Sequence, residues 1–338
     1  MPTSIALNAR HFSHSGESSA YSREMATQLK DLLKVVQPGN SLKGLEGHLW
    51  EQMYLPAASA GRLLWSPHGT GPISVGRQVC TIHDLSAVEH PEWFPSGAVK
   101  WSRWLLPKLV SRVQHIITVS EFTKARLVDY FRVNPGKISV IPNGVDSSFR
   151  PRGVREIEQL RFESGMRGAR YILSVSSSGP RGNLARLLAA WERLLPELPR
   201  DIELVVAGAD YGAQNIPTRV RFISQVKPQH MPALYSGALA LVYPSLYDGF
   251  GVPVLEAMAC GCAVVAANTT AIPELAGDAA ILVDPSDEES IADAMFRMVM
   301  RPQLREGLAR KAFARAERLS WEETAAKTRA VLMEQSAA

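Results

Sequence analysis

The chain has 338 residues, of which 46% are hydrophobic and 21% charged, and this length and composition predict a globular protein of two domains. The formal net charge is only +4, and no known module or basic–aromatic strand pattern indicates binding to nucleic acid. No apolar run reaches the ~20 residues that span a bilayer, and the first residues, MPTSIALNARHFSH, lack the apolar core of a signal peptide.

The cysteine content points to a reducing compartment. The three cysteines, Cys80, Cys260 and Cys262, fall in predicted strands or at a helix end. No histidine cluster accompanies them, so buried reduced thiols are favoured over a metal site. Together with the sequence of the amino terminus, this predicts a cytoplasmic protein.

The first half of the chain alternates short apolar runs with longer amphipathic ones. The predicted strands are SIALNA, RLLWSP, QVCTIHDL, HIITVS and KISVIP. Between the first two, apolar residues from Ala20 to Val36 recur every three or four positions, which predicts a helix. Ser120 is a typical N-cap for a helix over EFTKARLVDYF. Strands that alternate with helices imply a parallel sheet.

One predicted helix, within residues 91–113, mixes aromatic and basic side chains. Trp101 and Trp104 lie among several lysines and arginines, and residues 1–150 carry 16 Lys and Arg against 11 Asp and Glu. Such a helix either docks on an anionic membrane surface or packs on its own sheet. Packing is the favoured interpretation, and peripheral contact with the cytoplasmic face of the inner membrane stays open.

The second half repeats the alternation. Its predicted strands are YILSVS, ELVVAG, VRFIS, ALALVY, CAVVAA and AILVD, with helices between them and after them. The domains are predicted to span residues 1–150 and 151–320. The last helix, residues 321–336, is predicted to return to the first domain.

The stretch after ALALVY is the most informative one in the chain. Pro244 ends this strand, Gly249 and Gly251 open a tight loop, and Pro253 lies just inside the next helix. The start of a helix attracts anions through its dipole and its unpaired N–H groups. Acidic side chains before and inside this helix suggest that sugar hydroxyls are held there together with phosphates.

The segment PSLYDGFGVPVLEAMACGCAVVA resembles the signature E-G-F-G-x-P-x-x-E-A-M-A-x-G of the retaining GT-B glycosyltransferases of family 4. The resemblance implies an α/β fold of GT-B architecture, with two Rossmann-like domains and a cleft between them. It also implies a nucleotide-sugar donor and no cofactor or obligatory metal. A Gly-rich turn of an unrelated Rossmann-like domain is the alternative.

The resemblance also assigns roles to residues. Asp248 would hold the donor sugar and Glu256 the ribose, with Gly249, Phe250, Gly251 and Val252 in the binding loop between them. His83, at the end of a predicted strand, would contact the donor sugar. Arg181 would contact the diphosphate, Asn183 would lie in the nucleotide-binding site, and the loop that contains Gly16 would lie near the donor phosphates. Of these, His83, Asp248 and Arg181 are the candidate catalytic residues.

The sequence departs from the family pattern in three places. The first acid of the signature is Asp248 rather than Glu. The usual E-P-R-K-N reads Gly179-Pro180-Arg181-Gly182-Asn183, so the family Lys is replaced by Gly182. The Gly-rich loop near Gly16 is one residue longer and lacks its second glycine. Losing one charge-assisted contact weakens binding by ~1.5–3 kcal/mol.

The function that this sequence predicts is transfer of a hexose or deoxyhexose to a polysaccharide or glycolipid acceptor. Mannose from GDP-mannose is the first choice, because the TIHDL pattern resembles that of many mannosyl- and rhamnosyltransferases. Two alternatives stay open. One is a catalytically degraded member that binds nucleotide or a partner enzyme, and the other is a sugar-nucleotide epimerase. The sequence does not determine the base, the linkage or the oligomeric state.

Overall fold

The structure is a computed structural model that describes residues 5–14, 16–42, 44–166, 168–176, 179–208 and 216–338. The chain divides into two compact units. Unit 1 comprises Met1–Gly144 and Ser320–Ala338, and unit 2 comprises Val145–Leu319. The change from unit 1 to unit 2 thus comes six residues before the boundary expected from the sequence.

Unit 1 is built on a six-stranded parallel sheet in the order β2-β1-β3-β4-β5-β6. Its strands are β1 (Ile5–Asn8), β2 (Leu33–Val36), β3 (Leu64–Ser66), β4 (Gln78–Ile82), β5 (His115–Thr118) and β6 (Ile138–Val140). Its helices before the crossing to unit 2 are α1 (Glu17–Gln28), α2 (Gly44–Leu49), α3 (Leu55–Ala58), α4 (Ser86–Glu89), α5 (Ser96–Arg112) and α6 (Glu121–Phe131). A π-helical turn, Trp50–Tyr54, joins α2 to α3.

Unit 2 repeats this design with the strand order β12-β11-β10-β7-β8-β9. Its strands are β7 (Arg170–Val175), β8 (Ile202–Ala207), β9 (Val220–Ile223), β10 (Ala240–Tyr243), β11 (Ala263–Ala267) and β12 (Ala280–Val283). Its helices are α7 (Val154–Glu163), α8 (Leu184–Leu194), α9 (Met231–Ser236), α10 (Val252–Ala259), α11 (Ile272–Ala276), α12 (Glu288–Met300) and α13 (Pro302–Ala316).

The predicted helix from Ala20 to Val36 is wrong in its second half. Helix α1 ends at Gln28, and Leu33–Val36 form an edge strand that pairs in parallel with β1. The apolar spacing continues through this segment, but β-branched valines favour an extended chain that can pair with a neighbouring strand. Tertiary pairing therefore overrides the helical period here.

The last helix, α14 (Trp321–Ala337), belongs to unit 1. Its Leu332 and Ala325 pack into the same core as Tyr21 and Trp65. The Thr324 hydroxyl donates a hydrogen bond to the Pro142 carbonyl at 2.8 Å. The end of the chain thus completes a core that the beginning of the chain starts.

Gly144 has the closest backbone approach in unit 1. It is the glycine of the Asn-Gly pair that precedes the crossing, and a Cβ at this position would overlap the backbone of Ser320 and Trp321. A turn propensity alone does not require this glycine, but the passage of the first residues of α14 does.

We expect Gly144→Ala to lower the free energy of unfolding of unit 1 by about 3 kcal/mol or more, because backbone atoms cannot yield as a flexible side chain can. Gly97→Ala is the matched control, since nothing lies within 4 Å of a Cβ there. Urea unfolding followed by circular dichroism measures both variants. Equal stability of the two would contradict the close packing of α14 on this turn.

Candidate functional site

The strand order of unit 2 reverses direction between β7 and β10. In open parallel sheets, ligands bind outside the carboxyl ends of the strands at such a point. The two loops that leave this edge follow β7 and β10. They carry Arg181 and Asn183 on one side and residues 248–252 on the other, so the fold brings both groups of predicted residues to one edge of unit 2.

Asp248 is almost fully buried, and its carboxylate organises the loop after β10. Its Oδ1 accepts hydrogen bonds from the backbone N–H groups of Phe250 and Gly251, at 3.0 and 2.8 Å. Its Oδ2 accepts the hydroxyl of Tyr243 at 2.7 Å. This carboxylate therefore determines the loop's conformation, and its predicted contact with the donor sugar stays a prediction.

Helix α10 begins directly after Gly251, whose φ of 96° and ψ of 50° lie in the left-handed region. A Cβ there would stand 2.6 Å from Ile272 Cδ1, so glycine is required twice over. The expectation of several unpaired N–H groups at this helix start needs correction. Asp248 accepts two of the neighbouring N–H groups, and Pro253 has none.

The other binding-loop residues predicted from the sequence lie in the same turn. Phe250 is buried against the protein, and Val252 is the half-buried first residue of α10. Gly249 is also buried and lies between Asp248 and Phe250. Their predicted contacts with the nucleotide remain predictions.

Arg181 lies in the 3-10 turn Pro180–Gly182 that follows β7. Its Nε donates to the Tyr247 carbonyl at 2.7 Å, and a terminal guanidinium nitrogen lies 3.3 Å from Asp248 Oδ2. About 30% of the side chain is exposed. Two acceptors thus hold a partly exposed cation at the switch point. The positive φ of this loop belongs to Asn183, at 56°, and not to Gly182.

Asn183 is tied into the fold by its side chain. Both hydrogens of its amide are donated to backbone carbonyls, those of Pro244 at 3.0 Å and Pro285 at 2.6 Å. The amide oxygen accepts from Arg186 at 3.1 Å. These bonds join the ends of three segments of unit 2, which gives Asn183 a structural role. Its predicted contact with the nucleotide stays a prediction.

Glu256 lies on α10, and its Oε2 accepts the hydroxyl of the buried Tyr235 at 2.8 Å. Burial raises the pKa of the Glu256 carboxyl to about 7, in part opposed by the Tyr235 hydrogen bond, and the charge of Asp146 adds to the rise. A carboxyl whose pKa is raised by burial to near neutral is often found at a functional site, and this one lies on the helix that follows the glycine turn.

The two predicted site residues of unit 1 lie at the start of α1 and at the end of β4. His83 follows β4, its Nε2 donates to the Pro67 carbonyl at 2.9 Å, and burial lowers the pKa of its imidazole. Gly16, with a φ of 110°, is the N-cap of α1. Helix α1 begins at Glu17, three residues before the predicted start at Ala20, so the loop in front of this helix is shorter than the predicted one.

Several polar residues of these edges are not among those predicted from the sequence. In unit 2 they are Tyr235 and Tyr243, the partners of the two acids. In unit 1, His11 and His14 follow β1 and His68 follows β3, and they form a cluster. A histidine within a few residues of three predicted strand ends was the signal available in the sequence.

Comparison with known proteins places the chain in a family. A model described as Glycosyl transferases group 1 matches residues 156–315, and one described as Glycosyltransferase Family 4 matches residues 53–149. The O-antigen chain mannosyltransferase B of Escherichia coli is 30% identical over 267 residues, which are 76% of this chain and 70% of that protein. The MMP alpha-(1->4)-mannosyltransferase of Mycolicibacterium hassiacum is 30% identical over 295 residues, 78% and 67% of the two chains.

A solved structure extends the likeness to almost every residue. The sucrose-phosphate synthase of Thermosynechococcus elongatus superposes with a TM-score of 0.78 at 18% identity and covers 99% of both chains. At this identity the likeness concerns the fold alone. Together with the two six-stranded parallel sheets, it confirms the predicted α/β fold of the GT-B type.

We expect the stability of unit 2 to fall as the pH rises from 4.5 to about 7, because the unfolded Glu256 releases its proton near 4.5 and the folded one near 7. Glu256→Gln removes this contribution to the pH dependence of stability, because glutamine does not titrate. The free energy of unfolding of the variant, relative to that of the wild type, should rise by about 3 kcal/mol between pH 4.5 and 8. Urea unfolding at both pH values measures it, with the exposed Glu192→Gln as control. If the difference in the free energy of unfolding between variant and wild type were the same at both pH values, the pKa of Glu256 would not be raised on folding.

Proposed function

The chain belongs to the group 1, family 4 glycosyltransferases, and on that premise we propose that it transfers mannose from GDP-mannose to a polysaccharide or glycolipid acceptor with retention of configuration. Two of the relatives at 30% identity are mannosyltransferases, which supports mannose as the sugar. The GDP moiety, the retention of configuration, the independence of metal and the cytoplasmic location are parts of this proposal.

The observation that carries the proposal is the position of Arg181. A donor nucleotide sugar brings a diphosphate, whose negative charge grows as the sugar departs. Arg181 is a cation at the switch point of unit 2, held by Asp248 and by the Tyr247 carbonyl. A charge that is oriented before the reaction stabilises a developing anion without reorganising at that moment. Arg181 would therefore replace part of what the absent family Lys provides.

The reaction exchanges one bond at the anomeric carbon for another. The bond from this carbon to the diphosphate oxygen breaks, and a bond to the acceptor hydroxyl oxygen forms on the same face. The acceptor proton passes to the departing phosphate oxygen, so protons and electrons balance without a further reactant. The chain's own contribution is to orient the donor and to stabilise the diphosphate charge.

Glu256 suits the ribose of the nucleotide. A ribose offers two neighbouring hydroxyls as donors, and a carboxylate offers two oxygens as acceptors. The buried Tyr235 holds one of these oxygens and so orients the group. Since hydroxyl donors favour the charged form, nucleotide binding would lower the pKa of Glu256 from about 7.

The nucleotide part of the proposal is tested by thermal shift with GDP, UDP, ADP and dTDP, followed by a transfer assay with the donor of the best binder. GDP should raise the melting temperature most. A larger shift of the melting temperature with another nucleotide would indicate that this nucleotide, and not GDP, carries the donor sugar. Consumption of the donor without any acceptor, to give an epimer, would favour an epimerase instead.

We expect Arg181→Ala to weaken binding of the nucleoside diphosphate by about 10- to 150-fold, the range of one charge-assisted hydrogen bond. Arg193→Ala is the matched control, because it removes the same charge from an exposed position in α8. Calorimetric titration of both variants measures the effect, and their melting temperatures show whether they fold. Unchanged affinity in a folded Arg181→Ala protein would show that the diphosphate does not contact this residue.

A degraded family member that binds nucleotide without transferring a sugar is the second candidate. Two observations favour it, namely Gly182 in place of the family Lys and the engagement of Asp248 by its own loop. It predicts nucleotide binding with no turnover of any donor. Transfer activity that disappears in Arg181→Ala would exclude it.

The proposal also includes peripheral contact with the membrane, which rests on a surface of unit 1. Five large apolar side chains in two neighbouring helical segments are well exposed: Leu45 (70%), Leu49 (54%), Met53 (75%), Tyr54 (58%) and Trp104 (43%). Four of them lie in the continuous segment formed by α2 and the π-helical turn. His48 stacks against Trp101 at 4.1 Å, which joins α2 to the basic α5. Apolar and aromatic side chains beside basic ones suit an anionic lipid surface.

Among the described residues, no helix combines the length and the apolar character needed to span a bilayer.

We expect the protein to sediment with vesicles that contain anionic phosphatidylglycerol, and much less with phosphatidylcholine vesicles. The double variant Leu49→Glu, Met53→Glu should abolish this sedimentation, because each charge opposes both burial and the lipid charge. Phe162→Glu, a matched change at an exposed apolar residue of unit 2, should leave sedimentation unchanged. Equal sedimentation of the double variant and the wild type would exclude this surface.

A further inference from the structure

A second loop of unit 2 supports the turn that carries Asp248. This loop, residues 268–271, follows β11, the strand next to β10 in the sheet. We call residues 248–251 the aspartate turn and residues 268–271 the threonine loop. The backbone N–H of Asp248 donates to Thr270 Oγ1 at 3.2 Å, and the N–H of Ala271 donates to the Asp248 carbonyl at 3.3 Å. Both main-chain polar groups of Asp248 are thus bonded to the threonine loop.

The hydroxyl of Thr270 is held in one orientation. Its single hydrogen is donated to the carbonyl of Thr269 at 2.7 Å. The Thr270 oxygen therefore presents a lone pair to the N–H of Asp248, a residue that is almost fully buried. A side chain without a hydroxyl would remove the acceptor of this N–H, and a buried donor that loses its acceptor is unfavourable.

The backbone of Thr270 is strained. Its φ of 58° lies in the left-handed region, which crowds any side chain and a β-branched one most. The other described residues besides glycine with a positive φ are Arg132, Asn183 and Arg219, and none of these is β-branched. Glycine or asparagine would adopt this conformation more easily, but neither carries a hydroxyl. Strain of this kind is concentrated at functional sites.

The aspartate turn lies between two supporting loops, as β10 lies between β7 and β11 in the sheet. On the β7 side, Arg181 contacts the carboxylate of Asp248. On the β11 side, Thr270 accepts its N–H. Ile272, the first residue of α11, packs against Gly251, where a Cβ would stand 2.6 Å from the Ile272 Cδ1. The threonine loop and the start of α11 therefore fix the turn from one side.

We propose that Thr270 is a positioning residue of the donor site, whose hydroxyl keeps the aspartate turn in the geometry that holds the donor sugar. This inference rests on the proposed function, in which the Asp248 carboxylate contacts that sugar. Thr270 acts through Asp248 and does not touch the donor. Loss of its hydroxyl frees the Asp248 N–H and allows the turn to move, so the sugar is less well oriented for transfer.

The nucleotide should be much less sensitive to Thr270 than the sugar is. Arg181 also donates to the Tyr247 carbonyl, and Glu256 is oriented by Tyr235, so neither group is held by Thr270. A positioning role therefore lowers kcat while the affinity for GDP stays the same. A merely structural role instead lowers the melting temperature and weakens GDP binding together with kcat.

The first test compares Thr270→Ala with Thr270→Ser. Both variants keep a Cβ in the left-handed backbone, but only serine keeps the hydroxyl. We expect Thr270→Ala to lower kcat with GDP-mannose about 2- to 12-fold, the range of one neutral hydrogen bond, and to leave the calorimetric Kd for GDP unchanged. Thr270→Ser should recover most of the loss. Thr218→Ala, in the loop that enters β9 at the opposite edge of the sheet, is the matched control.

A glycine variant separates the hydroxyl from the strain. Glycine adopts a positive φ freely, so Thr270→Gly should fold with a melting temperature near that of the wild type, because relief of strain offsets the greater freedom of glycine in the unfolded chain. It lacks the hydroxyl, so kcat should still fall as in Thr270→Ala. Arg132→Gly changes a residue with a φ of 54° in unit 1 and should leave kcat unchanged.

Hydrogen exchange detects the contact without relying on activity. Mass spectrometry of peptides that contain residues 248–251 should show faster exchange in Thr270→Ala and Thr270→Gly, because the Asp248 amide has lost its acceptor. In Thr270→Ser the exchange should match that of the wild type. Equal exchange in all four proteins would show that the hydroxyl does not hold the aspartate turn, and the inference would fail.

The remaining outcomes distinguish this inference from the proposed function. If the wild type transfers sugar and the Ala and Gly variants do so equally well, the inference fails while the proposed function stands. The inference also fails if kcat, GDP affinity and melting temperature fall together. If the wild type binds GDP-mannose without turnover, the proposed function fails, and the inference stands only if Thr270→Ala weakens binding of GDP-mannose and not of GDP. If no nucleotide sugar binds, both fail.

Discussion

At the carboxyl edge of the sheet in unit 2, the arrangement of the loops depends on the buried carboxylate of Asp248. It accepts two backbone N–H groups of the following turn, the hydroxyl of Tyr243 and a contact from Arg181. Buried charges are tolerated only when hydrogen bonds and an opposite charge replace the lost water. One group therefore determines the shape of the glycine turn, the starting point of α10 and the position of the cation across the switch point. Without this carboxylate, these groups would lose the one acceptor that they share.

This network gives a physical reason for an Asp at a position where the family signature has Glu. An aspartate can accept N–H groups two and three residues ahead of it within a tight turn. A longer side chain carries its carboxylate past these donors. The shorter acid thus favours a rigid loop, whereas the longer one favours reach towards a ligand. The loop in turn positions Arg181 through the Tyr247 carbonyl and the Asp248 carboxylate.

Much of the fold was readable from local patterns, because buried parallel strands and amphipathic helices leave strong signals in the sequence. The strand, glycine turn and helix predicted around Gly251 and Glu256 are present at the switch point of unit 2, and ligand binding there stays a prediction. The features that the sequence does not reveal share one cause, which is tertiary contact. Val36 follows a helical spacing but pairs with β1, and the Asn183 amide binds carbonyls of residues that are distant in sequence. The contact between His11 and His68 likewise exists only after β1 and β3 have become neighbours.

The return of α14 to unit 1 has a consequence for synthesis on the ribosome. Unit 2 is continuous in sequence and has all its strands once residue 319 has emerged. Unit 1 must wait for the final residues, because Leu332 and Ala325 belong to the core that also holds Tyr21. During translation, the first-made half of the protein therefore exposes apolar surface while the second-made half can already fold. Apolar surface that stays exposed until α14 has been made renders such a nascent chain prone to aggregation.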